Sequence, residues 1–274
     1  MKILILGSGN MGMTYAQSFL RTHIVTPENL MILCRTAEHA EALRTTYEGC
    51  FFSDASACVS AADLAILAVK PQDAPQLFAQ IKGLTSSDQV WLSIMAGVRM
   101  ATVMDALGVR KVVRAMPNLP AQIGAGVTAF TATEEVTRIE LVMVQNLLNT
   151  TGKTLYVERE DLLDAATAVS GSGPAYVYFF MSAMIAAAQR MGFSPSEAEL
   201  LVSQTFTGAV DLYNKADLSC EQWIDKVASK GGTTEAALRV FEQSQLYQSI
   251  TAGMAAAWKR AEELGQTRRS STKA

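Results

Sequence analysis

The sequence predicts an α/β protein, with a doubly wound, mostly parallel sheet in its first half and an all-α region in its second. Three observations carry this. Short aliphatic or β-branched runs alternate with helix-length stretches up to about residue 160, the pattern of a parallel sheet wrapped by helices. A glycine-rich turn follows the first apolar run directly. Beyond Glu158 the strand signals stop and long helical patterns take over, so two domains are expected, 1–159 and 160–274.

Strands are expected at residues 2–6, 30–34, 64–69, 90–94, 111–114, 126–131 and 154–157. Residues 64–69 read Leu, Ala, Ile, Leu, Ala, Val with no polar interruption, as a central strand buried on both faces should. Two helix starts in the second half carry capping boxes, Ser194-Pro195-Ser196-Glu197 and Ser219-Cys220-Glu221-Gln222. Residues 266–274, with Arg268, Arg269 and Lys273, read as a frayed, solvated tail.

At 274 residues, 49% hydrophobic and 18% charged, the chain has material for two folded domains rather than a disordered segment. A net charge of −3 supplies no basic field for a phosphate backbone, which argues against nucleic acid. Cys34, Cys50, Cys58 and Cys220 form no CxxC pair or zinc-ligand spacing, so neither a metal site nor a disulfide scaffold is expected. The apolar run 3–6 is too short for a signal peptide, and a cytoplasmic protein is expected. Residues 165–189 carry no charge, but Ser170-Gly171-Ser172-Gly173-Pro174 interrupts them. The remaining apolar stretch is short for a bilayer span and reads as a helix buried in a core or a subunit interface, with no membrane partner.

Gly7-Ser8-Gly9-Asn10-Met11-Gly12 lies between the first strand and a helical pattern, the context in which a glycine turn holds a dinucleotide pyrophosphate. Gly7 permits the tight turn, Gly9 a close approach of backbone to phosphate, and Gly12 the packing of helix on strand, while the first helical N–H groups face the anion. NAD-preferring folds place an acid at the end of the second strand; here that strand ends Cys34-Arg35-Thr36. A guanidinium beside a hydroxyl suits a 2′-phosphate, which favours NADPH, while a solvated Arg35 would leave NADH open. Ala68, Val69, Lys70 and Pro71 end the buried strand at the sheet's carboxyl edge, where such folds bind ligands. Ala96, after the strand at 90–94, and Asn118, in Met116-Pro117-Asn118, are placed with the cofactor residues; Ala68-Val69-Lys70-Pro71 and Met116-Pro117-Asn118 each also read as an ordinary turn.

In the second half, Ser229-Lys230-Gly231-Gly232-Thr233-Thr234-Glu235 is a glycine turn leading into a helix, and such a turn presents successive backbone N–H groups to a carboxylate. Ser172-Gly173-Pro174 similarly opens the charge-free helix, with or without a ligand role.

The order and spacing of the glycine turn, Ala68-Val69-Lys70-Pro71, Arg114-Ala115-Met116-Pro117-Asn118, Ser170-Gly171-Ser172-Gly173-Pro174-Ala175-Tyr176 and residues 229–238 resemble the pyrroline-5-carboxylate reductase family over nearly the whole chain. The last two motifs are the specific ones. The resemblance implies reduction of 1-pyrroline-5-carboxylate to L-proline with NAD(P)H, a Rossmann-type cofactor domain, and a helical domain that interleaves with its twin in a homodimer, with larger rings of dimers known. It implies that the Thr234 hydroxyl meets the imine nitrogen and that Ser229, Gly232 and Thr233 hold the carboxylate, with Gly231 and Ser172 beside them. Lys230 stands where many members have Pro, and Leu119 where many have Thr.

The residues are consistent with that chemistry. Ketone reduction calls for a strong proton donor, and neither His23 nor His39 is placed for it; both are expected on the surface, away from the glycine turn. A cyclic imine can take its proton from solvent, leaving the protein to orient the ring and hold the carboxylate. The competing readings are a related imine or 2-hydroxyacid reductase, for which Lys230 is the only contender as proton donor, and a catalytically silent paralogue, against which the intact Thr233-Thr234 pair weighs.

Overall fold

A computed structural model describes the backbone of residues 1–270 and the side chains of residues 1–265. The chain forms two compact units, residues 1–172 with 257–270 and residues 173–256. The first is built on an eight-stranded sheet: β1 (Ile3–Leu6), β2 (Leu30–Leu33), β3 (Cys50–Phe52), β4 (Leu64–Leu67), β5 (Val90–Ser93), β6 (Val112–Met116), β7 (Gly126–Ala132) and β8 (Gly152–Tyr156). Their order is β3-β2-β1-β4-β5-β6-β7-β8. All neighbours run parallel except β6 and β7. The expected strand at 64–69 is the central β4. β3 was not expected; three residues are too few to show a period.

Alternation along the strands divides the core in two. Ile3 and Ile5 pack with Leu30, Ile32, Leu64, Ile66 and Leu92 under Tyr15 and Phe19 of α1 (Asn10–Arg21) and Val144, Leu147 and Leu148 of a later helix, Arg138–Asn149. Leu4 and Leu6 face the other way, with Met31, Leu33, Ala65, Leu67 and Trp91. Leu77, Phe78 and Ile81 of the helix Ala74–Ile81 and Val103 and Leu107 of Met100–Leu107 cover that face. Numbered in chain order, with α2 at Ala37–Arg44, these helices are α3 (Ala74–Ile81), α4 (Met100–Leu107) and α5 (Arg138–Asn149). Each fully buried Leu or Ile contributes about 1.5–3 kcal/mol, so a charge at Leu4 or Ile5 would abolish the fold. α5 starts with a capping box between Thr137 and Glu140 that the sequence pattern also carries.

After β8 every element is helical: α6 (Leu162–Ala166), a π-helical turn at Thr167–Gly171, α7 (Gly173–Arg190), α8 (Pro195–Lys215), α9 (Cys220–Val227), α10 (Thr233–Gln243) and α11 (Leu246–Ser270). Both expected capping boxes form, at Ser194–Glu197 and Ser219–Gln222. α11 carries helical backbone through Ser270, so residues 266–270 are not the frayed segment expected; Lys273 lies outside the described residues. α7, uncharged up to Arg190 at its end, is not a core helix of the single chain, since none of its residues is buried and Phe179 is 75% exposed. Among the described residues no helix is long and apolar enough to cross a membrane.

Candidate functional site

The chain runs from β1 outward to β2 and β3, then returns to place β4 on the other side of β1. Strand order therefore reverses between β1 and β4, and a crevice opens beyond their carboxyl ends. The glycine turn sits there. Gly7 has φ +115°, a left-handed conformation that favours glycine, and a Cβ on it would lie 2.9 Å from the Ala68 backbone. A Cβ on Gly12 would lie 2.0 Å from the Gly7 carbonyl oxygen, so only glycine lets α1 pack this closely on the turn. Gly9 differs: a Cβ there meets nothing within 4 Å. That open space is on the ligand side of the turn, where α1 begins with Gly9 as its cap and no acidic residue in its first turn. The N–H groups of Asn10, Met11 and Gly12 thus have no carbonyl four residues back within the helix, and the dipole there is positive.

A cleft of about 700 Å³ follows this edge and brings together Gly7, Ser8, Gly9, Arg35, Thr36, Ala68, Val69 and Lys70. Leu33, Cys34, His39, Gln72, Asp73, Gln76, Leu77 and Gln80 complete it; Gln72, Asp73, Gln76, Leu77 and Gln80 carry no signal in the sequence that marks them as cleft residues. His39 corrects the expectation that both histidines lie away from the glycine turn. It is exposed, but α2 carries it to the rim of the same cleft, whereas His23 is not among the lining residues. Burial pushes the Cys34 thiol up, against smaller opposing effects of a hydrogen bond with Ser8 and the charge of Arg44, so Cys34 is a neutral wall residue. The Thr36 hydroxyl caps α2 by accepting from the His39 N–H at 3.2 Å. Arg35 donates to the Asp73 carboxylate at 2.6 Å.

Pro71 follows the cleft's Lys70 as the first residue of a 3-10 turn, Pro71–Asp73. Ala96 and Asn118 are not among the residues lining that cleft. Ala96 follows β5 at the turn whose Gly97 approaches Leu264 and Gly265 of α11. The Asn118 side-chain oxygen accepts from the Val127 N–H at 2.9 Å, tying the turn after β6 to β7. Arg114 points away from ligand chemistry: it is 3% exposed and paired with Glu160 and Asp164. Ser172 closes the π turn, its N–H donating to the Thr167 carbonyl at 2.8 Å. Met116 and Gly171 approach so closely that a Cβ on Gly171 would fall 2.7 Å from the Met116 methyl carbon.

In the second unit the loop 229–232 joins α9 to α10. Gly231 is left-handed, at φ +74°, and a Cβ on Gly232 would collide with Ser229 Oγ at 2.6 Å. The expectation that successive loop amides face a ligand is met only in part. The Gly232 N–H donates to the Ser229 carbonyl at 2.9 Å, and the Gly231 N–H donates to the Glu235 carboxylate. Both are engaged inside the loop because the left-handed turn folds them back toward their own helix. The intrahelical ladder starts with Ala236 donating to Gly232, so Thr233, Thr234 and Glu235 keep first-turn N–H groups with no carbonyl four back in the helix. The loop offers amides and two hydroxyls, with Thr234 half-buried and Ser229 and Thr233 exposed.

Known proteins resemble both halves. Residues 160–264 match the family model described as pyrroline-5-carboxylate reductase dimerisation, and residues 2–97 match that described as NADP oxidoreductase, coenzyme F420-dependent. Pyrroline-5-carboxylate reductase 2 of Bacillus subtilis is 35% identical over 252 residues, covering 91% of this chain and 90% of the relative. The pyrroline-5-carboxylate reductase structure from Coxiella burnetii is 30% identical, with a TM-score of 0.88 over 97% of this chain and 98% of that one. The Plasmodium falciparum pyrroline carboxylate reductase with NADP bound is 27% identical at the same TM-score and coverage. With a curated relative of this similarity spanning nearly its whole length, the chain belongs to the pyrroline-5-carboxylate reductase family.

Proposed function

We propose that this chain reduces 1-pyrroline-5-carboxylate to L-proline with NADPH, the last step of proline biosynthesis, as a cytoplasmic homodimer. The observation that carries the reading is the pairing of two main-chain anion receptors in one chain of this family: the glycine turn at the β1–β4 crevice and the glycine loop opening α10. Residues 1–159 form the cofactor domain and residues 160–274 the substrate and dimerisation domain.

The crevice fits a dinucleotide, because Gly9 leaves open space against the first turn of α1 where a pyrophosphate needs backbone contact. Gly7, Ser8, Gly9, Asn10, Met11 and Gly12 hold the pyrophosphate. Arg35 and Thr36 take the adenosine end, and Ala68, Val69, Lys70, Pro71, Ala96 and Asn118 the rest of the cofactor. When bound, the dihydronicotinamide supplies hydride. The amides of Thr233 and Thr234, with the Ser229 hydroxyl, grip the substrate carboxylate, and Gly231, Gly232 and Ser172 are the other substrate-binding candidates. The Thr234 hydroxyl donates to the imine nitrogen and holds the ring in one orientation; the nitrogen takes its proton from solvent.

Exposed apolar side chains on the helical unit support the dimer, among them Phe179 at 75% and Leu200 at 66%. Larger rings of dimers are a further level of the same assembly. The deciding experiment follows NADPH absorbance with synthetic 1-pyrroline-5-carboxylate and identifies the product as proline; no oxidation of NADPH or NADH under saturating substrate overturns the reading.

A further inference from the structure

An acid that reads ribose hydroxyls is missing from the end of β2, where the chain has Arg35. The fold supplies one from elsewhere. Asp73, 38 residues further on, lies in the turn after β4 and meets the Arg35 guanidinium at 2.6 Å, both side chains lining the cleft of the glycine turn. Asp73 ends the 3-10 turn Pro71–Asp73 that runs into α3, with helical backbone at φ −87° and ψ −11°, and its side chain makes no cap bond there. Its carboxylate is turned to Arg35, and with a side chain 30% exposed it is the better shielded member of the pair.

We propose that Asp73 is a specificity-determining residue that restrains this chain's preference for the phosphorylated cofactor. The inference rests on the reading that Arg35 receives the 2′-phosphate. A phosphate arriving at Arg35 must share the guanidinium with Asp73 or displace it, and the two anions repel. A dinucleotide lacking that phosphate brings a hydroxyl, which donates to the same carboxylate without conflict. Arg35 is 76% exposed, so the pair is screened by water and the effect is a few-fold, less than the charge-assisted grip of Arg35 on phosphate. NADPH stays preferred, and NADH stays usable.

The test is fluorescence titration of the full-length protein with NADPH and with NADH, for the wild type, Asp73→Asn, Arg35→Ala and the double variant. Asp73→Asn tightens NADPH by roughly three- to fivefold and leaves NADH equal or weaker by about twofold, magnitudes expected for an exposed pair. Asp73→Ser gives the same direction, and unchanged melting temperatures certify the fold. In the Arg35→Ala background the effect of Asp73→Asn on NADPH shrinks, because no guanidinium remains to be released. Unchanged or weaker NADPH binding by both folded Asp73 variants overturns the proposal while leaving the Arg35 reading intact. Equal losses of NADPH and NADH in Arg35→Ala overturn the 2′-phosphate reading itself, so the two failures are distinct.

Discussion

Arg114 on β6 and Asp164 on α6 meet at 2.8 Å with only 3% and 1% of their side chains exposed. The second Asp164 oxygen takes Arg99 at 2.7 Å, while Glu160 accepts from Arg114 at 3.1 Å and from the Met100 N–H at 2.7 Å. Four charges thus tie α6 to the sheet and to the start of α4. Asp164→Ala leaves Arg114 buried with one partner fewer, and the expected loss is about 3–5 kcal/mol, read as a lower denaturant midpoint. Arg114→Met with Asp164→Leu should cost less than the two single changes summed, because the pair's desolvation is removed with it. A loss under about 1 kcal/mol for Asp164→Ala contradicts this account.

Gly9 and Gly12 should respond oppositely to the same substitution. Gly9→Ala places its methyl in open space, so melting is retained while dinucleotide binding weakens by about tenfold, the cost of one disturbed charge-assisted contact. Gly12→Ala drives a methyl into the Gly7 carbonyl and lowers the melting temperature before any ligand is added. Thermal unfolding with and without NADPH separates the two; equal melting losses would refute the assignment of Gly9 to the ligand side.

Thr234→Ala should lower kcat by about a hundredfold, the scale for one donor at a reacting centre, with NADPH affinity within twofold of wild type. Steady-state kinetics and cofactor titration check it, and Thr234→Ser should recover most of the rate. Parallel loss of turnover and cofactor binding would show that the loop is only structural.

Glu140 links acid sensitivity to the start of α5. Burial works against its charge, but hydrogen bonds from Lys111 and from the Thr137 N–H and hydroxyl, with the Lys111 charge, outweigh it and hold its carboxyl below the usual value. A depressed carboxyl stabilises the fold fully above its unfolded value and loses that contribution as pH falls through the folded one. Melting curves of wild type and Glu140→Gln should differ at pH 7 and converge as the pH is lowered through and below the ordinary glutamate range. A constant gap across the titration would mean the charge is not responsible.

Phe179→Asp with Leu200→Asp should shift the sedimenting species from dimer to monomer, because these exposed apolar groups lie on the helices assigned to dimerisation. A dimer unchanged at micromolar concentration would place the interface elsewhere.

Much was legible without coordinates, and for local reasons. Strand β4 is announced by six apolar residues in a row, both second-half capping boxes by a Ser with Glu or Gln three positions on, and the turn at Gly7 by glycines at fixed offsets from a strand and a helix. Each depends on backbone conformation and side-chain period within about ten residues. The Thr137 capping box has the same local signature, Thr with Glu three positions on, whereas β3 carries too few residues to show a pattern.

By itself the sequence determined the α/β class, the glycine turn, the loop at 229–234 and the family they resemble, since these are short-range statements about which residues can adopt which conformations. Only the tertiary structure decided that Asp73 faces Arg35, that Arg114 is locked to Asp164, and that His39 reaches the cleft. β2 and β4 flank β1, about 10 Å apart, and the low glycine turn above β1 lets the residues beyond them meet. Pairings of that kind follow from strand order and helix placement, which no window along the chain contains.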